Sequence, residues 1–144
     1  MKPACLAISI LLLFSGLTAC SQSPTHTTAS DTPSSDGTIY VRLPPNDFEI
    51  KRSELANEQL IDVRTPAEYQ GGHLSEATLM DFRGERFEQD LDRLDRDRPV
   101  MLYCAKGGRS TGAAARLQAM GFREIYELDG GLTGWLDAGK AVTP

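Results

Sequence analysis

From about residue 37 onward, short apolar runs alternate with stretches of helical periodicity. Thr38-Ile39-Tyr40-Val41 reads as a strand, and further strands are expected at Gln59–Val63, Ala77–Met80, Val100–Tyr103 and Glu124–Leu128. Between them the chain offers helix signals. Ser53-Glu54-Leu55-Ala56 looks like a Ser-capped helix start after a Pro-Pro loop, and Thr65 caps a helix with Pro66 at its first position. Phe87, Leu91 and Leu94 form one apolar stripe at i, i+4, i+7 under a dense mixture of arginines and acids, predicting a helix over Arg83–Asp95. An alanine-rich helix is expected from Ser110 to Met120, stopping at Gly121, and a Gly130-Gly131 turn leads into a short helix holding Trp135 in the core. Strands separated by helices imply an α/β fold with a parallel sheet covered on both faces. In such sheets ligands bind beyond the carboxyl ends of the strands.

The first 36 residues follow a different pattern. Lys2 is a minimal positive start, and Ala4 to Leu17 is almost wholly apolar but short for a membrane span. Leu17-Thr18-Ala19-Cys20 resembles the cleavage box of a bacterial lipoprotein, in which Cys20 is lipidated and becomes the mature N-terminus. An ordinary secretory signal cut near Ala19, or an uncleaved anchor, are the alternatives. Ser21 after the cysteine resembles the pattern sorted to the outer membrane, facing the periplasm. Residues 21–36 are rich in Ser, Thr and Pro without apolar periodicity and read as a flexible tether, spanning roughly 20–25 Å. The expected organisation is a signal peptide at 1–19, lipidated Cys20 and tether to 36, and one domain at 37–144. The membrane is then reached through lipid alone, within the cell envelope.

Composition narrows the function. With 144 residues and 40% hydrophobic content there is room for one cored domain plus tails. A net charge of −5 without a basic cluster argues against nucleic acid. The two histidines, His26 and His73, are far apart and lack ligand-spaced cysteines, so no metal and no cofactor is expected. If Cys5 leaves with the signal and Cys20 carries lipid, Cys104 is the sole free thiol in an oxidising compartment, and its retention there suggests that the thiol is used.

The surroundings of that thiol support this. Cys104-Ala105-Lys106-Gly107-Gly108-Arg109-Ser110 leaves an apolar strand, crosses a glycine-bearing loop and enters a helix. That order sets a thiol in a cup of backbone N–H groups facing a helix N-terminus and flanked by two cations, which favours a thiolate and an anionic ligand. Cys104 is the expected nucleophile, with Ala105, Lys106, Gly107, Gly108, Arg109 and Ser110 binding substrate. Arg109 is expected both to touch the ligand and to brace the loop. Lys106 is either a cation at the mouth or merely exposed, and Ser110 is most simply a helix cap, with a hydroxyl hydrogen bond to the sulfur as the lesser option.

Four stretches together give a resemblance. Leu60-Ile61-Asp62-Val63-Arg64-Thr65-Pro66-Ala67-Glu68-Tyr69, then Gly72-His73-Leu74, then Cys104-x-x-Gly107-x-Arg109-Ser110, then Gly121-Phe122 … Leu128-x-Gly130-Gly131 … Trp135, make 37–144 similar to a single-domain rhodanese, of the sulfurtransferase family. Leu74-Ser75-Glu76-Ala77 departs from the family's usual Ile-Pro-Gly-Ala. The resemblance implies about five parallel strands with helices on both faces. It implies a Cys104 persulfide, loaded from a small anionic donor such as thiosulfate and unloaded by cyanide, a thiol or a protein acceptor. Asp62, Arg64, Glu68 and His73 fall in its motifs, where salt-bridging and loop bracing are the expected roles. Alternatives are a non-catalytic persulfide carrier or sensing module, a thiol–disulfide exchanger, which would need an external resolving cysteine, and a cysteine phosphatase or arsenate reductase. Those last folds place five residues between cysteine and arginine where this chain has four, and the loop offers no general-acid aspartate.

Overall fold

The computed structural model describes residues 37–144. The expected signal peptide, Cys20, the tether, Cys5 and His26 lie outside them. In chain order the elements are β1 (Ile39–Leu43), α1 (Pro45–Glu54), β2 (Gln59–Asp62), α2 (Pro66–Gln70), β3 (Thr78–Leu79), α3 (Phe87–Leu91), β4 (Val100–Tyr103), α4 (Gly108–Ala119), β5 (Glu124–Leu128) and α5 (Gly131–Asp137). The five strands form one sheet in the order β1-β5-β4-β2-β3, and every pairing is parallel.

Strand alternation builds two cores. Val100 and Leu102 of β4 face Ile61, Val63, Ile125 and the helical side chains Phe87, Leu91, Ala113, Ala114 and Leu117. Met101 and Tyr103 point the other way, to Leu60, Phe48 of α1, Tyr126, Leu128 and Trp135 of α5. All four residues of β4 are buried, as a strand covered on both faces requires. Its carboxyl end sits mid-sheet, between β5 and β2, so whatever follows Tyr103 emerges over the centre of the sheet edge.

Two helix expectations are corrected. Ser53 does not start a helix; it lies at the end of α1, and its hydroxyl bonds back to the Ile50 carbonyl at 2.7 Å. The Pro-Pro pair read as a loop is the true start. Pro45 takes the first helical position, where a missing N–H costs nothing. The expected Arg83–Asp95 helix shrinks to α3. Asp81 and Asp95 carboxylates bind the amides two residues ahead, Arg83 and Asp97, and Arg93 and Leu94 close tight turns on Asp90 and Leu91. Aspartate side chains thus compete with the helical ladder. The apolar stripe still packs: Phe87 and Leu91 are buried and Leu94 lies against them.

A buried ion pair closes the end of β2. Arg64 Nε and Nη2 reach the two Asp62 carboxylate oxygens at 2.9 and 2.6 Å, and Nη2 also donates to the Gly72 carbonyl at 2.7 Å. Both residues are at most 4% exposed. The Tyr103 hydroxyl accepts the Leu74 amide alongside. This knot ties the turn after α2 to the sheet edge beside the cysteine loop. Asp62→Ala leaves the Arg64 guanidinium buried without a counter-charge and should cost about 3–5 kcal/mol in urea unfolding, whereas loss of an exposed pair would cost under about 1 kcal/mol.

Candidate active site

Cys104 follows β4 directly and is 1% exposed. Its sulfur is gathered by the turn that leads into α4. The Gly107 amide donates to Sγ at 3.1 Å, and the Ser110 hydroxyl lies 3.4 Å from it. Burial opposes charge on the sulfur and is the largest single influence. The Ser110 hydroxyl and the amides of Ser110, Lys106 and Gly107 together outweigh it, so the thiol is held below its ordinary range. The arrangement can hold a thiolate, and the same donors suit an anion built on that sulfur.

Glycine makes the turn possible. Gly107, at φ +108°, caps α4 from a conformation that other residues rarely adopt. The second glycine lies far along the chain. Gly131, at φ +57°, opens α5 and backs directly onto the loop, where a Cβ would fall 2.5 Å from the Cys104 carbonyl oxygen. That closeness lets the Leu132 and Thr133 amides bind the Cys104 and Ala105 carbonyls at 2.8 and 3.0 Å. The first two loop carbonyls are therefore consumed by α5, while amides of the same loop face the sulfur.

The side chains divide into exposed and braced. Lys106 is exposed and makes no ion pair among the described residues. Arg109 is braced: Nη1 and Nη2 grip the Glu68 carboxylate at 2.7 and 2.6 Å. Glu68 also closes a capping box with Thr65, and Arg109 holds its carboxyl well below the usual carboxylate range. Bracing is the part of the double role expected of Arg109 that this geometry shows. Ser110 is not the helix cap expected of it, whereas the lesser expectation, a hydroxyl contact to the sulfur, is present at 3.4 Å. It lies inside the first turn of α4, fully buried, and its hydroxyl reaches the Gly107 carbonyl at 2.9 Å and a Glu127 carboxylate oxygen at 2.7 Å. His73 stacks on Tyr69 with centroids 3.7 Å apart and pairs by backbone with Thr143.

Several neighbours escaped the sequence reading. Glu127, on β5 and 0% exposed, accepts from Ser110, Thr111 and Tyr40, and Arg42 Nε stands 3.6 Å away. The signal was present: β5 reads as a strand covered on both faces, and a glutamate there must find partners. What the sequence lacked was their identity, since they come from β1 and α4.

The close approach at Gly131 gives a direct test. Gly131→Ala should force the backbone of Ala105 and Lys106 away from α5 and scatter the donors around Cys104. The expected outcome is at least a tenfold slower alkylation of Cys104 as thiolate at neutral pH, with modest loss of stability. Unchanged reactivity would show that the loop does not depend on α5.

Comparisons with known proteins agree with this geometry. The Rhodanese-like domain family matches residues 49–138. The chain is 31% identical over 98 residues to the thiosulfate sulfurtransferase GlpE of Pseudomonas syringae pv. syringae, covering 68% of this chain and 89% of that protein. Among solved structures, a rhodanese-related protein from Thermoplasma volcanium superposes with a TM-score of 0.61 at 24% identity, over 74% of this chain and 96% of its own. A polysulfide-sulfur transferase homodimer from Wolinella succinogenes gives a TM-score of 0.61 at 29% identity, over 75% of this chain and 79% of its own. A five-stranded parallel sheet, a cysteine cradled at the carboxyl end of its central strand and these relatives converge: the chain belongs to the rhodanese-like sulfurtransferase family.

Proposed function

We propose that this protein moves a sulfane sulfur from a small anionic donor such as thiosulfate, through a Cys104 persulfide, to a thiophilic acceptor. The observation that carries the reading is the set of amides converging on a buried Cys104 sulfur. In the first step the thiolate electron pair forms a bond to the donor's outer sulfur, the donor's S–S bond breaks, and sulfite leaves with that pair. In the second, cyanide, a thiol or a protein acceptor attacks the outer sulfur, and Cys104 departs as thiolate. The Lys106, Gly107 and Ser110 amides stabilise the negative sulfur in both steps, and the exposed Lys106 charge draws the anionic donor to the loop.

The four-residue spacing between Cys104 and Arg109 and the engagement of Arg109 by Glu68 weigh against a phosphate or arsenate cradle, which needs that guanidinium free for the oxyanion. A carrier that loads sulfur and hands it on without turnover shares the first step and differs in the second.

We also propose that the domain works at the cell envelope, held to a membrane by lipid on Cys20; the Leu17-Thr18-Ala19-Cys20 box supports this. Cells fed labelled palmitate should yield a labelled, membrane-bound protein, and Cys20→Ala should release it unlabelled. Unlabelled wild-type protein refutes the anchor.

For the chemistry, the full-length chain is incubated with thiosulfate and its intact mass recorded, then cyanide is added and thiocyanate measured. One added sulfur on Cys104 with repeated turnover is expected, and Cys104→Ser should abolish both. Sulfur gain without turnover makes the protein a carrier. Absence of sulfur gain together with hydrolysis of phosphate esters overturns the reading.

A further inference from the structure

Behind the reactive cysteine lies a carboxylate that the sulfur-transfer steps do not use. Glu127 occupies an inward position of β5 and is fully buried. From β1 it meets the Tyr40 hydroxyl, which donates to Oε2, and the Arg42 guanidinium, itself paired to Asp129 at 2.8 Å. From α4 it meets the Ser110 and Thr111 hydroxyls, at 2.7 and 2.9 Å from Oε1. Its register partner on β4 is the uncharged Leu102. On the loop side, Arg109 senses the charge on Cys104, and Lys106 is exposed.

Ser110 joins the two sites, and it has only one hydroxyl proton. Three acceptors compete for it: Glu127 Oε1 at 2.7 Å, the Gly107 carbonyl at 2.9 Å and Cys104 Sγ at 3.4 Å. A charged, short-range acceptor outcompetes a longer contact to sulfur. While Glu127 is ionised, the proton is drawn towards the carboxylate, and the sulfur keeps only the longer contact to the Ser110 hydroxyl beside its backbone amides. We propose that Glu127 is a positioning residue that, by drawing the Ser110 proton, keeps Cys104 more basic than its amides and a fully engaged Ser110 hydroxyl together would make it. The proposal rests on Cys104 being the reactive sulfur of the function above.

The consequence is kinetic. Cys104 is the nucleophile when sulfur is loaded and the leaving group when it is unloaded. A more basic thiolate attacks faster but leaves more slowly. Glu127 therefore biases the cycle towards loading. In Glu127→Gln the amide can donate to Ser110 Oγ while its carbonyl accepts from Tyr40, which leaves the thiolate as the one charged acceptor competing with the neutral Gly107 carbonyl for the Ser110 proton and removes a negative charge.

The test is the pH dependence of Cys104 alkylation by iodoacetamide in the full-length chain. Peptide-resolved mass spectrometry separates Cys104 from Cys5 and Cys20. Rates are normalised to their high-pH limit, so that access to the buried sulfur cancels. Glu127→Gln should lower the midpoint by about one unit, the size expected of a hydrogen bond gained by a charged group. Sulfur loading at saturating pH should slow about threefold. Tyr40→Phe, which strips one donor from Glu127 and strengthens its hold on Ser110, should move the midpoint up. In a Ser110→Ala background the Glu127→Gln shift should largely vanish. A midpoint unmoved or raised by Glu127→Gln, one lowered by Tyr40→Phe, or a full shift persisting without Ser110 overturns the proposal. The titration uses no sulfur donor, so absent turnover in the thiosulfate assay would count against the sulfurtransferase reading alone.

Discussion

A sulfur that must carry negative charge while shielded from water needs hydrogen-bond donors fixed in place before the charge arrives. Water would supply them at an exposed site; at 1% exposure the chain must do so itself. The surroundings of Cys104 follow from that need. Gly107 turns the loop so that consecutive amides face inward, and α4 continues their direction. The loop carbonyls, which would repel the sulfur's charge, are drawn off by the Leu132 and Thr133 amides of α5. Gly131 exists as glycine because that docking leaves no room for a side chain.

The same end of the sheet concentrates buried charge. Asp62, Arg64 and Glu127 are fully or almost fully buried, and all three lie at or just past the carboxyl ends of β2 and β5, either side of the strand that carries Cys104. Each has its partners: the Asp62–Arg64 pair reaches the Gly72 carbonyl, and Glu127 gathers three hydroxyls. A buried ion pair is an inefficient way to gain stability compared with apolar packing. Here the polar knots fix where loops cross the sheet edge, with Arg109 and Glu68 doing the same between α4 and α2. The site is rigid because its braces are directional bonds, while the apolar cores beneath set only where the strands run.

Much of this was legible in the sequence, and the failures have physical causes. The bounds of β4 follow from an uninterrupted apolar run, β5 matches the strand expected at Glu124–Leu128, and the Thr65 cap with Pro66 gives the start of α2. Local chemistry also placed the cysteine loop before a helix. Helix ends set by competing side chains were harder: Asp81 and Asp95 break a promising helical pattern, and Pro45 begins a helix that the Pro-Pro pair disguised as a loop. The identity of distant partners was out of reach, even where bracing by Arg109 and salt-bridging by Glu68 were expected. Ser110 is a cap by spacing, yet Glu127, seventeen residues on, draws its hydroxyl elsewhere. The partnership of Arg109 with Glu68 spans forty-one residues in sequence and is invisible to local pattern.

The central claim is that the amide cradle holds a negatively charged sulfur bonded to Cys104. Its most direct test is a crystal structure of the full-length chain after brief exposure to thiosulfate. The account predicts one additional sulfur covalently attached to Cys104 Sγ, within hydrogen-bond reach of the Lys106, Gly107 and Ser110 amides, with α5 unmoved. An unmodified Cys104 beneath an intact tetrahedral anion held by Arg109, released from Glu68, would contradict it.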